Sequence, residues 1–327
     1  MRTRATCKAI FALLIFNLAV AIQPTSAAAF PDRPIRMIVA YSAGSTVDAR
    51  ARQLANHLTD LLGQQIIVDN RSGASGVIAM TLAANAAADG YTLLFANSTQ
   101  LAALPAVKRK LPYDVFKQYS PVGSGAQTPS LIVISPSIPA QSLGEFIAMA
   151  KSKPRQFNFG SQGNGSTSHL SGALLMQLTG INAVHVPYKT YGLILSDLFS
   201  GQVSFLIGGP TAMLPHVKAG RLRALAINGS RRISALPDVP TFDEAGVANF
   251  WIAPWYGLLV PARTPAGIIK TFNADLNKSL KMADVVKTAE SEGQTILGGT
   301  PEQFSAFIKL EFQRYQKLAR DVGVTLD

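Results

Sequence analysis

The chain has 327 residues, 48% of them hydrophobic, with 30 Lys and Arg against 19 Asp and Glu, a formal net charge of +11 and a single cysteine. That length is enough for two domains with a core that needs no covalent staple, and one cysteine excludes a disulfide framework. The basic residues are scattered, the densest run being Lys108-Arg109-Lys110, and no basic stripe alternates with aromatics, which argues against a nucleic-acid surface.

The first segment reads as a leader. Arg2, Arg4 and Lys8 precede an apolar run over residues 9–22 and a small-residue stretch, Thr25-Ser26-Ala27-Ala28-Ala29. This is the pattern of a secretory signal peptide over residues 1–29, and its apolar run is shorter than the roughly 20 residues of a spanning helix. Removing it takes away Cys7 and three basic residues, leaving 27 basic against 19 acidic and a net +8. The mature chain is expected to be soluble and exported, and a moderately positive surface fits solubility.

The strand-like run Ile35-Arg36-Met37-Ile38-Val39-Ala40 breaks at Tyr41-Ser42-Ala43-Gly44-Ser45-Thr46 and enters an amphipathic helix. Val47, Ala51, Leu54, Ala55, Leu58, Leu61 and Leu62 share one face of that helix, and Gly63 closes it. A small, hydroxyl-rich loop at a helix N-terminus offers unpaired N–H groups and the positive end of the dipole, a ready anion site. An ordinary strand–helix turn has the same pattern.

Next come a strand at 65–68, a Gly-rich turn at 70–76, an Ala-rich helix to about residue 88, and a strand at 91–95 that ends in the polar tip Asn97-Ser98-Thr99-Gln100. Residues 120–139 read as a long extended crossing between two lobes. Ser142-Leu143-Gly144-Glu145 is a capping box that opens a helix with Phe146, Ile147 and Ala150 inward. A short strand at 157–159 runs into the Gly/Ser/Thr loop 160–168 and a helix over about 169–178, repeating the arrangement at residues 35–63. Further strands are expected at 184–188, 203–207 and 222–227, and the chain crosses back near residues 255–260. The last helix opens on Thr300, Pro301 and Gln303, an N-cap, an N1 proline and an N3 partner. This alternation predicts an α/β protein with mostly parallel sheets.

Four histidines, His57, His169, His185 and His216, lie far apart and form no metal-binding pair, so no metal and no cofactor are expected. His57 sits on the polar side of its helix and is expected to be exposed, whereas His169 and His185 are expected to be hydrogen-bonding scaffold residues. The nucleophile elbow G-x-S-x-G is absent, although Ser45, Ser98, Ser161 and Ser168 each remain open as nucleophiles. Gly163-Asn164-Gly165 begins like a dinucleotide fingerprint, but Ser168 stands at the third glycine. What remains is neutral donors at helix N-termini in two lobes. A carboxylate between them would gain about 1.5–3 kcal/mol per hydrogen bond without a buried countercharge.

The chain resembles the substrate-binding proteins of tripartite tricarboxylate transporters, the Bug receptor family. The resemblance runs from Pro31 nearly to the C-terminus and is carried by many ordered motifs. Among them are Pro31-Asp32-Arg33-Pro34-Ile35, Asn70-Arg71-Ser72-Gly73-Ala74, Asp89-Gly90-Tyr91-Thr92-Leu93, Gly163-Asn164-Gly165-Ser166, Ser168-His169-Leu170, His185-Val186-Pro187-Tyr188-Lys189 and Leu236-Pro237-Asp238-Val239-Pro240-Thr241. It implies a type II periplasmic-binding-protein fold with a ligand cleft between two lobes, residues 30–125 plus 256–327 and residues 126–255. It also implies a periplasmic, non-enzymatic monomer that captures a small carboxylate and hands it to membrane permease subunits.

On that resemblance the ligand loops are Tyr41, Ser42, Gly44, Ser45 and Thr46 on one side and Gly163, Asn164, Ser166, Thr167 and Ser168 on the other. Asn97, Ser98 and Thr99 line the same cleft, with Tyr188, Gly208 and Trp255 as further candidates. Tyr188, Trp255 and Tyr256 read equally as aromatic cleft walls or as core residues with polar tips. The family's usual Asp-Asn is replaced by Gly208-Gly209, its Pro by Thr167 and its Gly by Thr190. Loss of that acid removes a partner for an ammonium group, so the ligand is expected to be an uncharged or purely anionic body rather than an amino acid. The alternative from another class is an exported serine hydrolase of small esters or amides.

Overall fold

Ile35, Met37, Ile38 and Val39 are completely buried, as a strand covered on both faces requires. They belong to β1 (Ile35–Val39), which feeds α1 (Thr46–Leu62); Gly63 ends that helix in the left-handed region at φ +67°, its N–H donating to Thr59 O. The computed structural model describes residues 30–327, so the leader expected over 1–29 lies outside the described residues. Arg33–Asp327 form one compact unit.

β2 (Ile66–Asn70), α2 (Val77–Ala84) and β3 (Thr92–Asn97) follow. The Ala-rich helix stops at Ala84 instead of near 88, because the Asn85 amide turns back to donate to Thr81 O. The tip after β3 is not an exposed loop. Ser98, Thr99 and Gln100 are buried, and Thr99–Ala103 form a π-helical turn leading into α3 (Leu104–Val107).

β4 (Tyr119–Gln127) and β5 (Leu131–Ile134) are consecutive in sequence but lie in different sheets, so residues 128–130 are the first crossing. Then come α4 (Leu143–Ser152), β6 (Asn158–Ser161), α5 (Thr167–Thr179), β7 (Val184–Pro187), α6 (Tyr191–Ser200), β8 (Phe205–Gly208), α7 (Leu214–Lys218) and β9 (Arg223–Ile227). The chain returns to the first sheet on β10 (Trp255–Pro261) and finishes with α8 (Ala266–Ser279), α9 (Ala283–Glu292), β11 (Thr295–Gly298) and α10 (Pro301–Asp321). The expected caps form: Ser142 Oγ accepts the Glu145 amide, and Thr300 with Gln303 makes a complete capping box. Glu145 itself reaches one residue further back, to the Gln141 amide.

The first sheet has the order β11-β4-β10-β3-β1-β2 and the second β7-β6-β8-β5-β9. Both are mixed rather than mostly parallel: four strand pairings are parallel and five antiparallel. The antiparallel ones all involve β4, β5 or β10, the strands flanking the crossings; β10 and β11 run against the other strands of the first sheet and β5 against those of the second. Two crossings run side by side, with the Thr128 amide donating to Pro254 O at 2.7 Å and Ser130 Oγ to Ile252 O at 2.7 Å.

His57 is not exposed as expected. Its Nδ1 shares a 2.7 Å hydrogen bond with Ser279 Oγ and its Nε2 lies 3.0 Å from Asp284, joining α1 to α8 and α9.

Candidate functional site

The first helix N-terminus is tightly prepared. Ser45 Oγ accepts the Asp48 amide at 3.2 Å, and Asp48 accepts the Gly44 amide at 3.0 Å and the Asn70 side-chain amide at 2.9 Å. This capping uses later amides of the helix and leaves those of Thr46 and Val47, its first two residues, without an intrahelical acceptor. Both residues line an enclosed cavity of about 30 Å³.

The N-terminus of α5 is built the same way on the second sheet. Ser166 Oγ accepts the His169 amide at 3.2 Å, and Thr99 Oγ1 accepts the Thr167 amide at 3.0 Å. Ser168 Oγ accepts the Gln162 amide at 3.1 Å, and the Ser168 N–H, in the first turn of the helix, has no intrahelical acceptor. Thr167 and Ser168 line the same small cavity, so two positive helix ends converge on it. The side chains that line it are all uncharged.

Hydrogen bonds between the two sheets' loops hold this convergence. Thr46 Oγ1 donates to Gly209 O at 3.3 Å, the Tyr191 amide to Ser42 Oγ at 3.1 Å, and Ser75 Oγ to Asn164 O at 2.8 Å. Gly163, at φ +114°, makes the last contact possible, since a Cβ there would meet Ser75 Oγ at 2.4 Å. Outside the small cavity lies a larger one of about 370 Å³, and Gln162 and Tyr191 border both.

The residues expected from sequence divide three ways. Thr46, Asn97, Thr167, Ser168, Gly208 and Trp255 border the inner cavity, while Tyr41, Ser42, Gly163, Asn164 and Tyr188 border the outer one. Gly44, Ser45, Ser98, Thr99 and Ser166 border neither: Gly44 is exposed with its amide on Asp48, and the other four are buried and act as caps and cross-links. Of the two readings left open for Trp255, the structure favours the core: its indole is fully buried against Phe304 and Phe307 and donates to Glu311 at 2.9 Å, and its amide donates to Ser98 Oγ at 3.4 Å. Tyr256 is likewise buried, its ring tilted at 39° to Phe95 and its hydroxyl donating to Gln294, although it too borders the inner cavity. Tyr188 stays at the cavity, its hydroxyl donating to Asp197, and burial with that carboxylate pushes its phenol up to about 12.

Sequence reading missed Thr128, Gln162 and Tyr191. The Tyr191 hydroxyl and Thr128 Oγ1 are buried with no hydrogen-bond partner among the described residues, and both side chains border the inner cavity. Burial raises the Tyr191 phenol well above its ordinary value, so it stays protonated. The signal was there for Tyr191: it is the first residue of α6, and Tyr188-Lys189-Thr190-Tyr191 is a third strand-to-helix junction.

Ser161 and His185 form a pair with Oγ and Nε2 2.6 Å apart, the contact a serine hydrolase needs. Ser161 is completely buried and borders neither cavity. His185 stacks on His169 at 3.8 Å between ring centroids, and burial followed by the neighbouring imidazole lowers its pKa to about 3. His169 accepts the Gly165 amide on Nδ1 at 3.1 Å, and burial lowers its pKa to about 4. The two rings are a neutral scaffold under the 163–168 loop, as expected of them.

Residues 50–324 match the family model described as "Tripartite tricarboxylate transporter family receptor". The chain is 38% identical to Protein BugT of Bordetella pertussis over 304 residues, 93% of each chain. Its fold is similar to that of R. palustris Rpa4515 with adipate, at 32% identity and TM-score 0.87 over 90% of this chain and 99% of that one. It is also similar to MatC (Rpa3494) from Rhodopseudomonas palustris with bound malate, at 30% identity and TM-score 0.83 over 88% and 99%. The two-sheet fold built around paired crossings is thus shared with ligand-bound relatives over nearly their whole length, and the chain belongs to the tripartite tricarboxylate transporter receptor family.

Proposed function

We propose that this receptor captures a small carboxylate between its two lobes, in the periplasm, and delivers it to the permease subunits of a tripartite tricarboxylate-type transporter. The observation that carries the reading is the convergence of the α1 and α5 N-termini on one uncharged cavity. Free amides at helix starts suit an anion, and a carboxylate gripped there needs no lysine or arginine. Adipate and malate in the two similar structures support the ligand class.

The lobes are residues 30–125 with 256–327 and residues 126–255, hinged where the two crossings are hydrogen-bonded together at Thr128–Pro254 and Ser130–Ile252. The receptor acts as a monomer after loss of its leader. Capture and release is the whole mechanism. The Ser161–His185 pair speaks against the hydrolase alternative: it has no access to either cavity, and a base with so low a pKa does not take a serine proton near neutral pH.

A thermal-shift screen of carboxylic acids beside their methyl esters tests the reading. A ligand at 100 times its Kd adds about 2.7 kcal/mol of stability, so true ligands raise the melting temperature clearly while their esters do not. Ester turnover abolished by Ser161→Ala would favour the hydrolase instead.

A further inference from the structure

Two residues that border the inner cavity, Tyr191 and Thr128, are 5% and 3% exposed, and their hydroxyls have no hydrogen-bond partner among the described residues. A buried hydroxyl left unpaired is costly, so two such groups on residues bordering one cavity point to a ligand oxygen. Neither belongs to the helix starts that receive the carboxylate: Thr128 lies on the first crossing, and Tyr191 opens α6.

The chemistry of that oxygen follows from the wall around it. The lining side chains carry no charge, and Leu206, Ile207 and Pro254 add apolar surface. An ammonium or a second carboxylate there would be buried without an opposite charge, which is strongly unfavourable. A neutral hydroxyl or carbonyl has no such penalty, and two protein hydroxyls, each both donor and acceptor, suit either.

We propose that Tyr191 and Thr128 form a distal subsite for an uncharged oxygen, so that the ligand is a monocarboxylate carrying a hydroxyl or carbonyl at its far end. This rests on the carboxylate reading above and narrows it, separating this receptor from binders of dicarboxylates and amino acids.

Isothermal titration of the leaderless protein with four acids of equal length tests it: 4-hydroxybutyrate, butyrate, succinate and 4-aminobutyrate. The hydroxy acid is expected to bind at least about tenfold more tightly than each of the others, since a site built around a hydroxyl rejects analogues lacking it. Tyr191→Phe, which removes one oxygen, and separately Thr128→Val are each expected to shrink the advantage over butyrate to less than about threefold, with thermal melts confirming the fold. Succinate or 4-aminobutyrate binding as tightly as 4-hydroxybutyrate overturns the subsite while leaving the carboxylate reading intact. A variant that weakens butyrate and 4-hydroxybutyrate by the same factor places these hydroxyls on the carboxylate and also overturns it. Binding of dicarboxylates or amino acids in preference to any hydroxy or oxo monocarboxylate overturns the subsite, and binding of no carboxylate at all refutes both readings.

Discussion

Thr99 Oγ1 and Thr167 Oγ1 lie 3.1 Å apart, and Thr99 Oγ1 also accepts the Thr167 amide at 3.0 Å. One residue follows the third strand of the first sheet and the other opens a helix on the second sheet, so this contact exists only while the two lobes are together. Thr99→Val strands a buried amide at about 1–3 kcal/mol, which corresponds to roughly 5- to 150-fold weaker ligand binding. Titration calorimetry of the variant checks this, and an unchanged Kd would separate the contact from closure.

Gly163 faces Ser75 across the same divide. A methyl group there would sit 2.4 Å from Ser75 Oγ, on a backbone already at φ +114°. Gly163→Ala is expected to weaken ligand binding by more than about tenfold, because the strain of a positive φ and the clash both act on the closed form. Small-angle scattering with saturating ligand should show less compaction than in the wild type. Equal compaction would mean that the 70–76 turn yields without cost.

The indole of Trp255 belongs to the core, and its substitution should read as a stability change. Trp255→Phe removes the donor to Glu311, whose carboxylate is buried and otherwise paired with Arg314. The expected loss is about 1–3 kcal/mol of stability, seen as a lower denaturation midpoint with ligand affinity altered far less. A collapse of affinity at constant stability would place the ring in the cleft after all.

The stacked imidazoles predict a pH dependence with a definite sign. Their folded pKa values, about 4 for His169 and about 3 for His185, lie below the ordinary 6.5. The unfolded chain therefore binds more protons over that interval, so stability from this pair is full above pH 6.5 and is lost as pH falls toward 3. Protonation also removes the acceptor that His169 offers to the Gly165 amide, loosening the 163–168 loop. Melting temperatures from pH 7 to 4 should fall more steeply for the wild type than for His185→Phe. Identical slopes would contradict the assignment.

Much of this architecture was legible in the chain. The opening strand, the helix closed by Gly63, and the last helix with its complete capping box follow from short-range rules that tertiary contacts do not override. Strand direction was less legible, because β4, β5 and β10 change sheets, and nothing local in their sequences says which way a neighbour runs. In the candidate site, the loops at 41–46 and 163–168 stood out because strand, small-residue loop and helix start recur there. Thr128 did not, since its place beside the cavity comes from the pairing of two distant crossings. Trp255 was ambiguous for a related reason: only the packing of the last helix decides which way its ring turns.

The central claim is that two helix N-termini grip a carboxylate through neutral donors. Its most direct test is titration calorimetry of one acid raised by the screen beside its methyl ester, the uncharged counterpart of nearly the same shape. The account predicts that the acid binds and that the ester loses at least about a hundredfold, since several charge-assisted hydrogen bonds of about 1.5–3 kcal/mol each are weakened at once. An ester that binds as well as its acid would contradict it.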